Sequence, residues 1–526
     1  MIEVRPLCLT QVMSHHARWT PGKTAVVCGP DRRTWAQLVN RTNEIANKLV
    51  ASGLRRGDKV ATLLNNSIEL LEIMLGTIAA GCVTVPLSVL MAKDSLAAMI
   101  QNSEAKVLFA SEDTLQQVEP VRAGLTLIGA DGFIAIGGNV AGWIPYGSWC
   151  AGSPATDPCV RVDFEDSISI LYTSGTTGVP KGMEHSHWAR LLYPLALGPL
   201  MHIDDCSRTI LTTPMYHNGT WVTMLPTLYA GGTVVILPKF SVEGFHDTVD
   251  RESCTHAFMV PTQLVLVLDE TKFQAAKLRT MKVIMSAGSP LSSDTFRAVC
   301  EGLPELELCE IYGMGEGFMT FVGRRDYAAG KAGSVGRPIA TLDTDIRIIG
   351  PDNAELSQGG VGEIVGYSAL LLKGYYRDPD LTAASLWKDP DTGRAYLRSG
   401  DVGYYDPDGY LHLSGRVKDM IISGGVKVYA VDVEDVFMQH PEVQEVAVIG
   451  VPHEKWGETP LLLAIPRPGA IISEEALLAW GNSRLGKTQR VWRVEFRNSF
   501  PRNTLDKILK RQLREPYWAG RTRAIS

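Results

Sequence analysis

Paired cysteines are missing from this sequence. Its nine cysteines stand singly, no two of them form a Cys-x-x-Cys pair, and the total is odd. This excludes a disulfide-rich scaffold, argues against a structural zinc site and predicts reduced, buried thiols. The amino-terminal segment MIEVRPLCLT lacks both a basic region and a continuous apolar region, so no secretion signal is expected. We therefore expect a cytoplasmic protein.

Clustered positive charge is also missing. The sequence has 51 Lys and Arg against 57 Asp and Glu, a net charge of −6, and it contains no long basic run. Neutralising a phosphate backbone requires a clustered excess of Lys and Arg. Nucleic acid is therefore not an expected partner.

Long uncharged runs are rare, and the best candidate for a membrane span is residues 73–92, which hold no charged residue. The run is interrupted by Gly76, Gly81 and Pro86 and divides into the end of a helix and the short strand VTVPL. We expect a buried helix and strand of an α/β core, without integral membrane association.

Helical patterns alternate with short apolar runs along the chain. Apolar residues at helical spacing predict a helix over residues 34–52, and a second helix begins near Ser67. Strands are predicted at residues 59–66, 83–87, 167–173, 233–238 and 282–288. Such alternation is typical of parallel βαβ units.

The later part of the chain changes character. Two strands joined by the turn-rich segment PDNAELSQGG predict a smaller antiparallel or barrel-like β region at about 340–415. Residues 416–526 read as a small α+β domain that ends in a basic helix from Leu505. The predicted fold class is α/β, with a large N-terminal domain, residues 1–415, of mixed and parallel βαβ subdomains plus the β region, followed by this small domain.

The segment LYTSGTTGVPKG, residues 171–182, directly follows a predicted strand. Hydroxyls, glycine backbone N–H groups and a lysine charge are the donors that hold phosphate. It is not a Walker A loop, because Pro180 stands five residues after Gly175 and no Gly-Lys-Ser/Thr follows. The alternative is a flexible surface loop. The candidate ATP-binding residues here are Thr173, Ser174, Gly175, Thr176, Thr177, Gly178 and Lys181.

This loop resembles that of the adenylate-forming superfamily, which includes acyl-CoA synthetases, non-ribosomal peptide adenylation domains and beetle luciferases. The resemblance continues in order through the later motifs and covers essentially the whole chain. It implies activation of a carboxylate by ATP and Mg²⁺ as an acyl-adenylate, release of pyrophosphate and transfer of the acyl group to a thiol. It also implies that Thr173 and Glu316 belong to the metal-binding site, and that Gly288 and Ser289 contact the nucleotide.

The segment EIYGMGEG, residues 310–317, is similar to the family's Tyr-Gly-x-Thr-Glu motif. The resemblance implies that Tyr312 stacks on adenine, that Gly313 lies beside it and that Glu316 helps to bind Mg²⁺ and acts in catalysis. A glutamate is a suitable hard-oxygen ligand for Mg²⁺. Gly315 departs from the family, which usually has a threonine there, so one hydroxyl is missing.

The segment SGDVGYYDPDGYLHLSGRVKD, residues 399–419, resembles the family's ribose-binding aspartate and hinge. By position, Asp401 accepts the ribose hydroxyls, Arg416 adds a charged contact and Lys418 is the hinge. A carboxylate has two oxygens that suit two hydroxyl donors. Taken alone, Asp401 reads as a turn residue before Gly403.

The segment FPRNTLDKILKRQLRE resembles the family's Pro-Arg-x-x-x-Gly-Lys motif, and Lys507 matches its catalytic lysine. The reaction joins two anions, so a fixed cation is needed where negative charge gathers. Asp506 stands where the family commonly has glycine. The alternative for Lys507 is a place on a solvated basic helix with Lys510 and Arg511.

The segment PMYHNGTW resembles the Pro-x-x-His form of acyl- and aryl-CoA ligases, with His217 as an aromatic gate. Small and apolar side chains predict a pocket for a fatty, alicyclic or aryl acid. Two other histidines, His185 and His187, are weak evidence for a metal, and a surface role is expected for them. The candidate acyl-pocket residues are Tyr216, His217, Trp221, Thr262, Ser286, Gly288 and Met314.

The resemblance thus implies an ATP-dependent carboxylic acid:CoA ligase that forms acyl-CoA, AMP and pyrophosphate. Its small C-terminal domain is mobile and turns about Lys418, so that Lys507 serves the first step, and Ser423, Gly424 and Gly425 border the CoA thiol in the second. Two alternatives stay open: a catalytically decayed binding protein, and an enzyme that loads a carrier-protein thiol. The residues leave the oligomeric state open, a homodimer included.

Overall fold

The computed structural model describes residues 7–173, 181–269, 272–289, 291–424, 426–487, 489–502 and 507–519. The chain divides into two compact units. Unit 1 comprises Met1–Ala332, Pro338–Thr344 and Tyr367–Leu386, and unit 2 comprises Gly333–Arg337, Asp345–Gly366 and Trp387–Ser526. The expected domain boundary at residues 415 and 416, and motion about it, stay predictions.

The first sheet of unit 1 has eight strands. From Ser167–Thr173 onward along the sheet, every neighbouring pair is parallel. Lys181–Ser186 runs antiparallel on Ser167–Thr173, and Gly374–Tyr375 runs antiparallel on Lys181–Ser186. The strand order is Gly374–Tyr375, Lys181–Ser186, Ser167–Thr173, Val83–Pro86, Lys59–Leu63, Ala105–Ser111, Phe133–Ile136 and Ile144–Pro145.

A second sheet of unit 1 contains the strands that precede the candidate acyl-pocket residues. Its central pairs are parallel, and antiparallel strands flank them on both sides. Eight strands of this unit lie in the order Asp31–Thr34, Thr24–Cys28, Thr233–Ile236, Arg208–Leu211, His256–Met259, Val283–Ser286, Glu307–Gly313 and Met319–Val322. The predicted parallel βαβ architecture is confirmed.

The helices of unit 1 follow the apolar patterns of the sequence. The predicted helix over 34–52 is Trp35–Ala51, which Thr34 caps by accepting the N–H of Gln37. The uncharged run forms the buried helix Ile68–Ala79 and the strand Val83–Pro86, as predicted. The remaining α-helices are Leu9–Trp19, Lys93–Ser103, Glu112–Val118, Tyr146–Cys150, His187–Leu200, Asn218–Ala230, Val242–Glu252, Pro261–Val267, Ser293–Gly302, Arg324–Ala328 and Pro379–Ala384.

Throughout the described ranges, the helices are too short or too polar to serve as membrane spans. All nine cysteines are free, and five of them are buried. Cys159, Cys206 and Cys300 are exposed, which corrects the expectation of uniformly buried thiols.

Unit 2 is built around two mainly antiparallel sheets. In the first, Ala395–Tyr405 pairs antiparallel with Gly362–Tyr367 and with Leu411–Arg416. In the second, the long hairpin Val443–His453 and Gly457–Pro466 carries Arg493–Phe496 in parallel. The other strands are Asp345–Ile349, Leu386–Lys388, Ile421–Ser423 and Val426–Val428, and the α-helices are Ala430–Met438, Glu474–Asn482 and Lys510–Arg514. The α/β fold class with a small C-terminal α+β part is confirmed.

The terminal helix begins later than predicted. It covers Lys510–Arg514, whereas the sequence placed its start at Leu505, which lies outside the described residues. Ile508 forms a bridge with Arg502 and packs against an apolar cluster that contains Phe500. Lys507 therefore lies next to this bridge and outside the helix, and its side chain is exposed.

Candidate active site

The candidate acyl-pocket residues of unit 1 lie near the carboxyl ends of the strands of the second sheet. Parallel strands end at the same edge, and Met259, Ser286 and Glu310 are register partners across three of them. Residues that follow the ends of neighbouring strands therefore lie near one another, at the usual ligand-binding edge of a parallel sheet. Tyr216 and His217 follow Arg208–Leu211. The other candidates lie at or after the ends of the next three strands: Thr262, Ser286, Gly288, Ser289, Tyr312 and Met314.

Aromatic side chains dominate the start of the helix Asn218–Ala230. The Tyr216 and His217 rings lie 4.8 Å apart, centroid to centroid, and Trp221 is buried with its indole N–H donating to the Met215 carbonyl at 2.8 Å. Burial lowers the pKa of His217 to about 4, so its imidazole is neutral near pH 7. A neutral aromatic ring is consistent with the expected gate role.

Small residues lie at and after the end of the strand Val283–Ser286. Gly288 has a φ of +99°, a conformation that favours glycine, and it is exposed, as is Ser289. The Ser286 hydroxyl is buried and has no hydrogen-bond partner among the described residues. Thr262 and Met314 are half-buried. Buried hydroxyls are normally hydrogen-bonded, but several other described core hydroxyls also have no partner, so that of Ser286 does not by itself mark a ligand site.

Glu316 lies beside a tyrosine that the sequence did not single out. Tyr375 donates its hydroxyl hydrogen to Glu316 Oε1 at 2.8 Å, and Lys181 Nζ lies 5.6 Å from the centre of the Tyr375 ring. The pairing of Tyr375 with Met183, on the strand that begins at Lys181, brings these residues together. Burial and the Glu316 charge raise the pKa of Tyr375, so the hydroxyl keeps its proton and remains a donor.

The phosphate-binding loop is only partly described. Thr173 pairs with Lys181 at the ends of two antiparallel strands. Ser174, Gly175, Thr176, Thr177 and Gly178 lie outside the described residues, as does the Thr173 side chain.

The adenine motif ends the strand Glu307–Gly313. Tyr312 is half-buried, with its ring edge-to-face to Phe318 at 6.3 Å. A Cβ on Gly313 would meet the Phe318 carbonyl oxygen at 2.6 Å, and a Cβ on Gly315 would meet Met183 Cε at 2.7 Å. The Met183 side chain thus fills the space that a threonine at position 315 would need.

The surface role expected for His185 and His187 is wrong. Both side chains are buried, because His185 belongs to an internal strand and His187 begins the helix His187–Leu200. His185 Nε2 is 2.8 Å from the Gly315 carbonyl oxygen, and Nδ1 is 3.1 Å from Arg190 Nη2. The sequence analysis did not single out Arg190.

Unit 2 brings three further candidates together. Arg416 Nε donates to Asp401 Oδ1 at 2.8 Å, and the two residues are register partners on antiparallel strands. Lys507 is close enough to both for their charges to affect it. Partial desolvation and the Arg416 charge lower the pKa of Lys507 to about 8, although Asp401 opposes this shift. The Lys507 side chain remains accessible to solvent. A lysine with a lowered pKa is a frequent feature of catalytic sites.

The hinge candidate lies in the short 3₁₀ helix Val417–Asp419. The Lys418 carbonyl accepts a hydrogen bond from Arg514 Nη1 at 3.1 Å, which ties the terminal helix to this segment. Gly424, at a φ of +58°, follows Ser423 and donates its N–H to the Trp456 carbonyl at 2.9 Å. Gly425 lies outside the described residues.

Comparison with known proteins gives the family. Residues 13–376 match the AMP-binding enzyme family, and residues 432–507 match the AMP-binding enzyme C-terminal domain. A feruloyl-CoA synthase of Amycolatopsis is 33% identical over 95% of this chain and 97% of its own length. A long-chain-fatty-acid–CoA ligase of Mycobacterium tuberculosis is 31% identical over 93% of this chain and 94% of its own length.

Solved structures of related enzymes have the same fold as this chain. The ATP-bound crystal structure of MatB from Rhodopseudomonas palustris is 30% identical and superimposes with a TM-score of 0.86 over 97% of this chain and 99% of that one. The resemblance read from the motifs is confirmed, and the chain belongs to the AMP-binding enzyme family of adenylate-forming ligases.

Proposed function

We propose that this protein is an ATP-dependent carboxylic acid:CoA ligase that acts through an acyl-adenylate. The observation that carries the proposal is the position of Lys507, which lies in the segment that resembles the family's catalytic lysine motif and is close enough to Asp401 and Arg416 for their charges to affect it. A decayed binding protein would have no need to keep this lysine together with Lys181 and Glu316.

In the first half-reaction, a carboxylate oxygen of the acid attacks the α-phosphorus of ATP and pyrophosphate leaves. Lys181 and the glycine-rich loop before it hold the β- and γ-phosphates. Lys507 places a positive charge between the two anions that must meet, and Asp401 accepts the ribose hydroxyls. Fixed charges of this kind need no reorganisation during the reaction.

The residues present also suit Mg²⁺. Glu316 offers a carboxylate, and its Oε1 is already held by the Tyr375 hydroxyl, which leaves Oε2 available to a hard cation. Mg²⁺ held there would neutralise charge on the phosphates of bound ATP. Tyr375 orients the carboxylate without adding charge.

In the second half-reaction, the CoA thiolate attacks the acyl carbonyl and AMP leaves. The proposed turn about Lys418 withdraws Lys507 and brings Ser423, Gly424 and Gly425 to the thiol. Glycine allows a thin thiol arm to pass close to the backbone. Such domain motions commonly separate two steps of one enzyme.

The substrate is a fatty or aryl acid. Tyr216 and His217 offer adjacent aromatic rings, and Gly288 has no side chain to fill the candidate pocket, whereas Trp221 is only 1% exposed and supports the pocket from the core. The names of the relatives support this class, since they include feruloyl-CoA synthase, long-chain-fatty-acid–CoA ligase and an indoleacetate–CoA ligase that is 30% identical over 96% of this chain.

The test is carboxylate-dependent release of pyrophosphate from ATP and Mg²⁺ across fatty, aryl and amino acids, with CoA, with a phosphopantetheinylated carrier protein and with neither. We expect release with a fatty or aryl acid and thioester formation with CoA. Thioester formation on the carrier protein alone would favour the second candidate, which a fatty acid–[acyl-carrier-protein] ligase 31% identical over 98% of this chain supports. Binding of ATP without turnover of any acid would refute both.

A further inference from the structure

The helix His187–Leu200 carries a buried arginine that no catalytic motif accounts for. Arg190 is only 2% exposed, which makes it the most deeply buried of the described arginines. No described carboxylate lies within 4.0 Å of its guanidinium, and its Nε has no hydrogen-bond partner among the described residues. Buried charges in proteins are usually paired, so Arg190 requires an explanation.

The guanidinium makes two directed contacts. Its Nη1 donates to Asn218 Oδ1 at 2.5 Å, and its Nη2 lies 3.1 Å from His185 Nδ1. A guanidinium can only donate, so His185 Nδ1 accepts, and His185 Nε2 carries the hydrogen that it donates to the Gly315 carbonyl at 2.8 Å. Burial and the Arg190 charge hold the pKa of His185 well below its ordinary value. The imidazole therefore stays neutral and keeps both hydrogen bonds.

These contacts join two segments that carry candidate site residues. Asn218 directly follows the gate His217 and begins the helix that holds Trp221, over whose ring the Arg190 guanidinium lies at 4.9 Å. Gly315 directly precedes Glu316. Arg190 is therefore bonded directly to the acyl side of the site and, through His185, to the loop that carries the carboxylate for the metal.

Packing alone does not explain the residue. A buried ionic group can often be replaced by an apolar one of similar volume without loss of stability. Here no described carboxylate offsets the desolvation, although the Trp221 and Tyr193 rings lie 4.9 and 5.1 Å from the guanidinium carbon, and the nitrogen Nε has no partner among the described residues. What an apolar side chain could not supply is a pair of donors held in a fixed plane.

We propose that Arg190 is a positioning residue that fixes the start of the helix Asn218–Ala230 relative to the loop at Gly315, and so aligns the bound acid with the adenylation site. This inference rests on the proposed ligase function and deepens it. Misplacement of reacting groups by about 1 Å can reduce the rate about 10²-fold, so the effect should be large even though the buried Arg190 acts only through Asn218 and His185.

The test compares Arg190→Met, Arg190→Lys and a control, Arg208→Met. Arg208 bonds Glu252 at 3.0 Å and contacts no candidate site residue. We expect Arg190→Met to lower kcat/KM for the acid in pyrophosphate release about 10²-fold, while its Kd for ATP and its Tm stay close to the wild-type values. Arg190→Lys keeps the charge but not the planar fork, and we expect it to remain impaired. The control should lower Tm and leave kcat/KM for the acid near the wild-type value.

Two kinetic results would overturn the proposal. One is an Arg190→Met enzyme whose kcat/KM is unchanged, or falls only in proportion to a loss of folded protein. The other is full recovery by Arg190→Lys, which would mean that charge, and not geometry, matters. A crystal structure of Arg190→Met decides the positional claim independently of activity: the Asn218 side chain and Gly315 carbonyl should be displaced, and unmoved atoms would refute it. Inactivity of the wild-type enzyme, by contrast, would count against the proposed function alone.

Discussion

The hydroxyl of Tyr375 donates to Glu316 Oε1 at 2.8 Å, although the two residues are 59 positions apart in the sequence. The contact depends on a two-residue strand, Gly374–Tyr375, added antiparallel to the edge of the first sheet of unit 1. One oxygen of the carboxylate is thereby fixed while the other remains available. Outer-shell hydrogen bonds of this kind orient the residues that bind metals.

Removing this hydroxyl should weaken metal binding. We expect Tyr375→Phe to raise the concentration of Mg²⁺ that half-saturates pyrophosphate release by about 10–100-fold, because Glu316 is then free to rotate. Binding of Mn²⁺ in the presence of ATP, followed by electron paramagnetic resonance, measures the same loss without turnover. Tyr376→Phe is the matched control, since the neighbouring hydroxyl bonds Glu104 at 2.6 Å and not Glu316. Equal effects of the two substitutions would contradict the role of Tyr375.

The pKa of Lys507 leads to a pH prediction. The role proposed for Lys507 requires its positive charge, and with a pKa of about 8 in the free enzyme that charge is lost as the pH rises through this value. We expect kcat/KM for adenylation to fall on the alkaline side with an apparent pKa near 8. Lys507→Arg should be slower but should lack this alkaline limb, because arginine stays protonated.

Lys507→Ala separates the two steps. It should reduce pyrophosphate release by about 10²–10³-fold, as expected when a fixed charge is removed from a transition state. Thioester formation from a supplied acyl-adenylate and CoA should be spared. Equal losses in both half-reactions would refute the assignment of Lys507 to the first step alone.

Local patterns predicted much of the fold. The helix over 34–52 was evident because its apolar residues recur at helical spacing, and the observed helix Trp35–Ala51 differs by one residue at each end. The strand at 167–173 was equally clear, since a short apolar run precedes the glycine-rich loop. Both elements are determined mainly by neighbours in sequence.

The contacts within the site could not be predicted in the same way. Tyr375 and Arg190 form hydrogen bonds with residues that are distant in sequence or lie on other elements, and no local spacing distinguishes them from ordinary core residues. His185 was misjudged for the same reason, because an alternating strand pattern does not reveal that a carbonyl from Gly315 and a guanidinium from Arg190 would meet its ring. Strand pairing supplies these relationships, and only the folded chain shows them.

The departure at Gly315 gives a prediction about two residues at once. A Cβ at this position would lie 2.7 Å from Met183 Cε, so Gly315→Thr alone forces Met183 to move and should lower the adenylation rate. Gly315→Thr combined with Met183→Ala provides the space, and we expect it to be faster than either single variant if the hydroxyl helps to hold the α-phosphate. The measurement is a double-mutant cycle on kcat/KM for pyrophosphate release. Additive effects would mean that Met183 does not limit this position.

The assignment of Lys418 as the hinge predicts that a substitution there impairs thioester formation and spares adenylation, the reverse of the effect expected for Lys507→Ala. A proline at position 418 fixes φ and removes the N–H of this residue, so Lys418→Pro should hinder rotation about the segment Val417–Asp419. We expect pyrophosphate release in the first turnover to persist and thioester formation to fall, because the enzyme cannot bring Gly424 to the thiol. Single-turnover measurements of the two half-reactions distinguish this outcome from general damage. Lys418→Ala, which leaves the backbone free, serves as the control, and an unaffected second step in Lys418→Pro would remove Lys418 as the hinge.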